Sequence, residues 1–254
     1  MTGKGSHPVL FLPGTLGSWR TDFSRQLIGP TALNADYFTL VGWDPPGCGK
    51  SRPPNRYFPP GYLEEDAALV HGLMQKLKFP SYSIVAWSAG CHTAIFLAAN
   101  HNSQIRKLIL ISGYAFVNDQ DLRMHQKVIE RELWSDFGLG MRLRDNEYYF
   151  KRSWTLWLKA LERIYEQEHS DICAKQLKKV QAPALIVAGA KDFMRTEHSL
   201  FLQAHLANSR LIKLPEGGHN LHIRYPLWFQ SVAQEFLLEE KLSSDSERKL
   251  YFRL

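Results

Sequence analysis

Six short apolar runs constrain this chain more than any other feature: "PVLFLPG", "YFTLVGW", "YSIVAWS", "KLILISG", "PALIVAG" and "RLIKLPEG". Each is nearly continuous in hydrophobicity, the pattern of strands buried on both faces of a parallel sheet. Helical patterns fill most of the gaps between them. "EEDAALVHGLMQKLKF" puts Val70, Met74 and Leu77 on one stripe, with acids in its first turn. "AGCHTAIFLAANH" follows the third run directly, and "EHSLFLQAHLA" separates the last two. Strands alternating with helices predict an α/β sheet with right-handed crossovers. At 254 residues, 44% of them hydrophobic, the chain can bury a sizeable core.

One gap breaks the alternation. Between "LILISGYAF" and "APALIVAGA" there is no strand-like run, and "LRMHQKVIERELW" and "EYYFKRSWTLWLKALERIY" read as helices. In the second, Phe150, Trp154, Trp157, Leu158, Leu161, Ile164 and Tyr165 recur at helical spacing. The expected organisation is a core in two parts, residues 1–116 and 180–254, with a helical cap over 117–179. Leu158, Leu161 and Ile164 are assigned to core packing. An insertion at the carboxyl end of a strand overhangs the place where such sheets bind ligands, so Trp154 and Trp157 become candidate pocket residues. The tail "EEKLSSDSERKLYFRL" is polar and expected to fray in part.

"WDPPGCGKSRPP" contains the Gly49-Lys50-Ser51 ending of a nucleotide-binding phosphate loop. Such a loop needs Gly where Asp44 stands, and a helix starting at its Lys-Ser. A carboxylate repels phosphate, and Pro53, Pro54, Pro59 and Pro60 forbid the helix. Composition excludes further classes. The net charge is +6, yet the basic residues are interleaved with acids and aromatics, and no nucleic-acid motif appears. No apolar run approaches the length of a membrane span, and the N-terminus carries no visible targeting signal. Three scattered cysteines suit a reducing compartment. An intracellular protein is expected, cytoplasmic or mitochondrial and monomeric.

"SIVAWSAGCHTAI" runs from a strand through Ser88 into a helix, the setting of a nucleophile elbow, G-x-S-x-G. The strained turn demands small residues around Ser; Gly90 fits, and Ala86 replaces the first Gly. The competing assignment for Ser88 is a helix N-cap. A serine nucleophile needs a base, and the base needs an orienting carboxylate, in the chain order Ser, acid, His for this architecture. Asp192 lies just beyond the fifth strand and His219 in the Gly-rich loop after the sixth. Asp171, inside the insertion, is a poorer acid. His222 makes an H-x-x-H pair with His219 but no third ligand stands nearby, so no metal is expected. Acyl transfer also needs two N–H donors for the oxyanion. Ala89, after the nucleophile, supplies one, and "FLPGTLGS" the other: Thr15 first, Leu16 second. Leu16 and Trp87 complete the candidate pocket.

At these residues the chain resembles the α/β-hydrolase superfamily, and within it the biphenyl-hydrolase-like proteins, the valacyclovir hydrolase group. The segments that carry the resemblance are "LPGTLGS", "WDPPGCGKSRPP", "FPPGYLEEDA", "LKF", "AWSAG", "VQAPALIVAGAKD", "SRLIKLPEGGHNLHIRY" and "AQEFLL", spanning residue 9 to about 238. The resemblance implies an α/β-hydrolase core with a helical cap and a Ser88–Asp192–His219 triad. It also implies that "DPPGCGKS" is the family's D-x-R-G-x-G-x-S loop, which shapes the pocket floor. Pro46 stands where the family has Arg, and Ala89 where it has Asp. The family's first two strands are absent. The core then has about six parallel strands, and the strand near Val9 is expected to present an exposed edge, with low solubility and melting temperature as consequences.

The resulting expectation is a serine hydrolase of small carboxylic esters, with amides as a second class, needing neither metal nor cofactor. Its partner is a small-molecule ester. Without a charge at Ala89, neutral or hydrophobic acyl groups are favoured over α-amino-acid esters. The alternative is a catalytically inactive α/β-hydrolase fold used for ligand or protein binding.

Overall fold

The structure is a computed structural model that describes residues 1–129 and 147–239. The six apolar runs form β1 (His7–Leu12), β2 (Phe38–Gly42), β3 (Tyr82–Trp87), β4 (Ile105–Ile111), β5 (Ala184–Gly189) and β6 (Ser209–Leu214). They pair in one parallel sheet of order β2-β1-β3-β4-β5-β6. The helices are α1 (Trp19–Asp22), α2 (Ser24–Leu27), α3 (Tyr62–Lys76), α4 (Gly90–Asn100), α5 (Asp119–Ile129), α6 (Glu147–Gln167), α7 (Ala174–Leu177), α8 (Thr196–His205), α9 (Leu221–Arg224) and α10 (Pro226–Leu238).

The near-continuous apolar strands are explained by a core on each face of the sheet. Leu10, Leu12, Ile84, Ala86, Leu108, Leu110 and Ile186 face one way, toward α3, α4 and α6. Their neighbours Val9, Phe11, Val85, Trp87, Ile109, Ile111 and Val187 face the other, toward α2 and α10. The period of two is kept strand after strand, because successive side chains point to opposite faces. Each fully buried Leu, Ile, Val or Phe contributes roughly 1.5–3 kcal/mol, so both faces are needed to hold the sheet.

The exposed edge expected near Val9 is not there. β1 lies inside the sheet, between β2 and β3. β2 is the edge strand, and the N-terminal residues cover part of it: Thr2 donates to the Leu40 carbonyl at 3.0 Å and accepts from the Leu40 N–H at 2.7 Å. The Thr39 hydroxyl donates to the Gly5 carbonyl at 2.7 Å. Gly5 allows this approach, since a Cβ there would lie 1.8 Å from the Tyr37 carbonyl carbon. The chain leaves β1, crosses over to β2 and returns past β1 to β3, which makes β1 internal and removes the basis for the solubility expectation.

That reversal is a topological switch point, and in open α/β sheets ligands bind outside the carboxyl ends of the strands at such a point. Here the loops after β1 and β3 diverge side by side. α5 and α6 enter between β4 and β5 in sequence. Phe150, Trp154, Trp157, Leu158, Leu161 and Ile164 of α6 are buried, as the helical stripe requires, whereas Tyr165 is exposed.

Candidate active site

Ser88 follows β3 directly, with φ +53, a left-handed conformation unusual outside glycine. Its N–H donates to the Ile111 carbonyl at 2.9 Å, tying the turn to β4. Gly90 has to be glycine: a Cβ there would stand 2.5 Å from the carbonyl oxygens of both Leu12 and Pro13. Ala86 is fully buried within β3, so the methyl group that replaces the family's glycine fits.

Three elements bring their side chains to this turn. His219 Nε2 lies 3.0 Å from Ser88 Oγ, and His219 Nδ1 lies 2.9 Å from Asp192 Oδ1. With Nδ1–H donating to the carboxylate, Nε2 is left to accept the Ser88 hydroxyl proton. The loop of His219 is fixed from below. The Trp87 indole N–H donates to the His219 carbonyl at 2.8 Å, and the Ser112 hydroxyl donates to the same oxygen at 3.1 Å. The Met194 N–H donates to Asp192 Oδ1 at 2.9 Å. Close approach of β5 to the His219 loop depends on Gly189, where a Cβ would lie 2.2 Å from the Gly217 carbonyl oxygen. Asp171, the rival acid, instead caps α7 by accepting the Ala174 N–H at 2.7 Å.

The loop after β1 turns back on itself through a Gly17 N–H to Gly14 carbonyl bond of 3.0 Å, with Leu16 at φ +58. Among the described residues, no protein group accepts from the N–H of Thr15, Leu16 or Ala89. Gly14, whose own N–H is taken by Asp22 Oδ2 at 2.9 Å, lies against Ser88: a Cβ on it would stand 3.5 Å from Ser88 Cβ.

Next to them is a narrow cavity of about 30 Å³, lined among others by Thr15, Leu16, Ala89, Trp43, Phe58 and Trp157. Of the four pocket candidates, Leu16 and Trp157 line it. Trp154 stands behind Trp157, ring to ring at 4.8 Å, with its indole N–H donated to the His125 carbonyl at 3.0 Å. Trp87 packs with Phe23 and Phe229 on the opposite face of the sheet, beneath the site. Adjacency to Ser88 in sequence does not place it in the pocket, because alternate residues of a strand point to opposite faces. Glu132 and Asp136, possible acids of the insertion, lie outside the described residues.

The Gly49-Lys50-Ser51 loop is built around an anion of its own. Asp44 accepts the Lys50 N–H at 2.8 Å and the Trp19 N–H at 3.1 Å, and its carbonyl accepts the Ser51 hydroxyl at 2.9 Å. The donors that a phosphate would require are spent on that carboxylate. Sequence reasoning missed the buried pair beside it: Arg56 Nη1 donates to Asp66 Oδ1 at 3.0 Å, on the wall of the cavity. Asp66 sits within a helical pattern, and nothing local announces a partner ten residues upstream.

A second polar cluster lies under α5. His198 Nε2 meets Asp121 Oδ1 at 3.0 Å, and Tyr114 packs against His92, His198 and His125 with ring centroids 4.4, 5.7 and 6.1 Å apart. Among the described residues, both ring nitrogens of His125 and the Tyr114 hydroxyl are buried without a hydrogen-bond partner. Burial pushes His92 and His125 down to about 3, from an ordinary 6.5.

Known proteins resemble the chain over most of its length. A family model described as alpha/beta hydrolase fold matches residues 7–133. Serine hydrolase BPHL of Homo sapiens is 40% identical over 238 residues, covering 93% of this chain and 81% of that protein. Serine hydrolase BPHL of Mus musculus is 39% identical, covering 92% and 80%. Among solved structures, the alpha/beta hydrolase enzyme MGS-M2 from a Medee basin deep-sea metagenome library superposes with a TM-score of 0.70 at 18% identity. It covers 96% of this chain and 94% of that one.

Proposed function

As a member of the alpha/beta hydrolase fold family related to the serine hydrolase BPHL, the chain is a hydrolase, and we propose that it cleaves small carboxylic esters through an acyl-enzyme on Ser88. Ser88 Oγ attacks the ester carbonyl as His219 Nε2 takes its proton. Asp192 holds the Nδ1–H and stabilises the imidazolium that forms. The carbonyl oxygen, now negative, accepts from the N–H groups of Ala89 and Thr15. Collapse breaks the ester C–O bond, and His219 returns the proton to the departing alcohol. Water, deprotonated by His219, then attacks the acyl carbon and frees Ser88.

The observation that carries this reading is the hydrogen-bond chain Ser88–His219–Asp192, at 3.0 and 2.9 Å. It also favours an active enzyme over an inactive binding fold, which has no need of such a chain. Residues 117–179 are read as the cap over this site. No helix among the described residues is long and apolar enough to cross a membrane, and the proposed partner is a small-molecule ester. Because Ala89 offers an N–H and no charge, the acyl groups favoured are neutral or hydrophobic.

Labelling with a fluorophosphonate, followed by peptide mapping, tests the proposal. Ser88 is expected to carry the label, and Ser88→Ala and His219→Ala to lose it. Label on another serine, or undiminished label in Ser88→Ala, sinks the assignment.

A further inference from the structure

The loop after β1 holds its shape through one buried carboxylate. Asp22, at the end of α1, accepts the Gly14 N–H on Oδ2 at 2.9 Å and the Thr21 hydroxyl on Oδ1 at 2.6 Å. Gly17 packs on the same carboxylate; a Cβ there would lie 2.0 Å from Asp22 Oδ2. The Asp22 carbonyl in turn accepts His222 Nε2–H at 2.9 Å. His222 is three residues beyond His219, and its own carbonyl accepts from Gln26 Nε2 at 2.7 Å. Burial pushes His222 down to about 3, so it stays neutral, with Nε2–H as donor.

We propose that Asp22 is a positioning residue for the oxyanion site, fixing the Thr15–Leu16 donors through Gly14 and setting them in register with the His219 loop through His222. This rests on the hydrolase reading of Ser88. The bond from Gly14 N–H to Asp22 Oδ2 commits the first N–H of the loop. The next two N–H groups, of Thr15 and Leu16, have no protein acceptor among the described residues, and both residues line the cavity that Ala89 also lines. Oxyanion donors act only within about 2.7–3.1 Å of the developing charge. A loosened loop therefore weakens the transition state more than the bound ester.

The test compares Asp22→Ala, Asp22→Asn and Gly17→Ala with wild type. Active sites are counted by fluorophosphonate burst titration, so that misfolded protein does not enter the rates. Each variant is then measured for kcat per site, for KM, and for affinity toward a trifluoromethyl ketone, whose adduct carries an oxyanion. Asp22→Ala is expected to lower kcat per site by roughly tenfold to a hundredfold, less than the 10²–10³ for deleting a donor outright. KM changes little, and ketone affinity falls in parallel with kcat. Asp22→Asn keeps an acceptor for Gly14 and recovers most of both. Gly17→Ala keeps the carboxylate but displaces it, and reproduces the split if Asp22→Ala does not fold. Unchanged kcat per site and ketone affinity in the folded variants overturn the positioning role. A wild type unlabelled at Ser88 overturns the hydrolase reading along with it, so the two failures are distinct.

Discussion

Two histidine-bearing clusters lie buried near the carboxyl ends of the same strands, and they are wired in opposite ways. His219 has both ring nitrogens engaged, one by Asp192 and one by Ser88, and its carbonyl is held by Trp87 and Ser112. His125, packed against Tyr114, Trp154 and Trp157, has both ring nitrogens buried without a partner among the described residues. Burial alone does not make a histidine useful. A catalytic base needs one nitrogen oriented by an acceptor and the other facing a proton to take. His125 has neither and behaves as an apolar ring that carries a desolvation cost, about 1–3 kcal/mol for each unpaired polar group. His198, paired with Asp121 across α5 and α8, is intermediate: one nitrogen is anchored and the other has no partner among the described residues.

The largest effects belong to the wired cluster. Ser88→Ala and His219→Ala are each expected to lower kcat by roughly 10⁶, and Asp192→Ala by roughly 10⁴, with the double variant Ser88→Ala/His219→Ala no worse than either single one, since the residues act as a unit. Additive losses in kcat would mean that the two side chains work separately and would remove the contrast with His125.

Next comes Ala89, beside Ser88. A hydrogen bond to a charged group contributes about 1.5–3 kcal/mol, at about 1.4 kcal/mol per tenfold. Wild type is therefore expected to favour an ester lacking the amine over the corresponding valine ester, and Ala89→Asp to move that ratio of kcat/KM toward valine by roughly ten- to a hundredfold. A wild type that strongly prefers the amino ester would place an acid elsewhere in the site, with Glu132 and Asp136 the first to substitute.

The smallest effect is the one that isolates the second cluster. The folded protein holds His125 neutral down to about 3, through burial first, with His219, His198 and His92 adding to it and Asp121 opposing. The unfolded chain takes up that proton near 6.5. Between the two values the unfolded state binds more protons, so stability falls as pH drops from 6.5 toward 3. Above 6.5 the contribution is fully present. One such histidine changes stability by up to about 1.4 kcal/mol per pH unit in that window. Thermal melts at pH 7.5 and pH 5 should show the loss, and His125→Leu should reduce it by one proton's worth. The same variant is expected to leave kcat/KM unchanged and the melting temperature at pH 7.5 equal or higher, because an apolar group removes the unpaired nitrogens. A large fall in kcat/KM would mean that His125 belongs to the chemistry, and the two clusters would no longer differ.

Much of this molecule was legible in the chain. All six strands stand where the apolar runs are, and α3, α4, α6 and α8 stand where the helical patterns are, because burial on two faces or on one stripe leaves a periodic trace. The sharp turn at Ser88 was legible as well, since a strained left-handed residue between strand and helix needs Gly90 two positions later. The order of Ser88, Asp192 and His219 after their strands made them candidates, and the separations of 3.0 and 2.9 Å came from the structure. Trp87 was misjudged for a simple reason: its neighbour Ser88 faces the site, and the alternation of a strand sends the indole the other way.

What the sequence determined by itself is local: which segments are strand or helix, which turn can hold a strained serine, and which loop cannot hold a phosphate because Asp44 stands in it. Such properties depend on residues a few positions apart, whose backbone and burial requirements the chain displays directly. What only the tertiary structure decided is which distant loops meet. β1 became internal rather than an edge because β2 pairs outside it, and Asp22 reached both Gly14 and His222 because the loops after β1 and β6 converge above the sheet. The pairing of Arg56 with Asp66 and the isolation of His125 are of the same kind. Each depends on how the crossovers pack, and a hydrogen bond between residues 200 positions apart, such as His222 to Asp22, leaves no periodic trace in the chain that forms it.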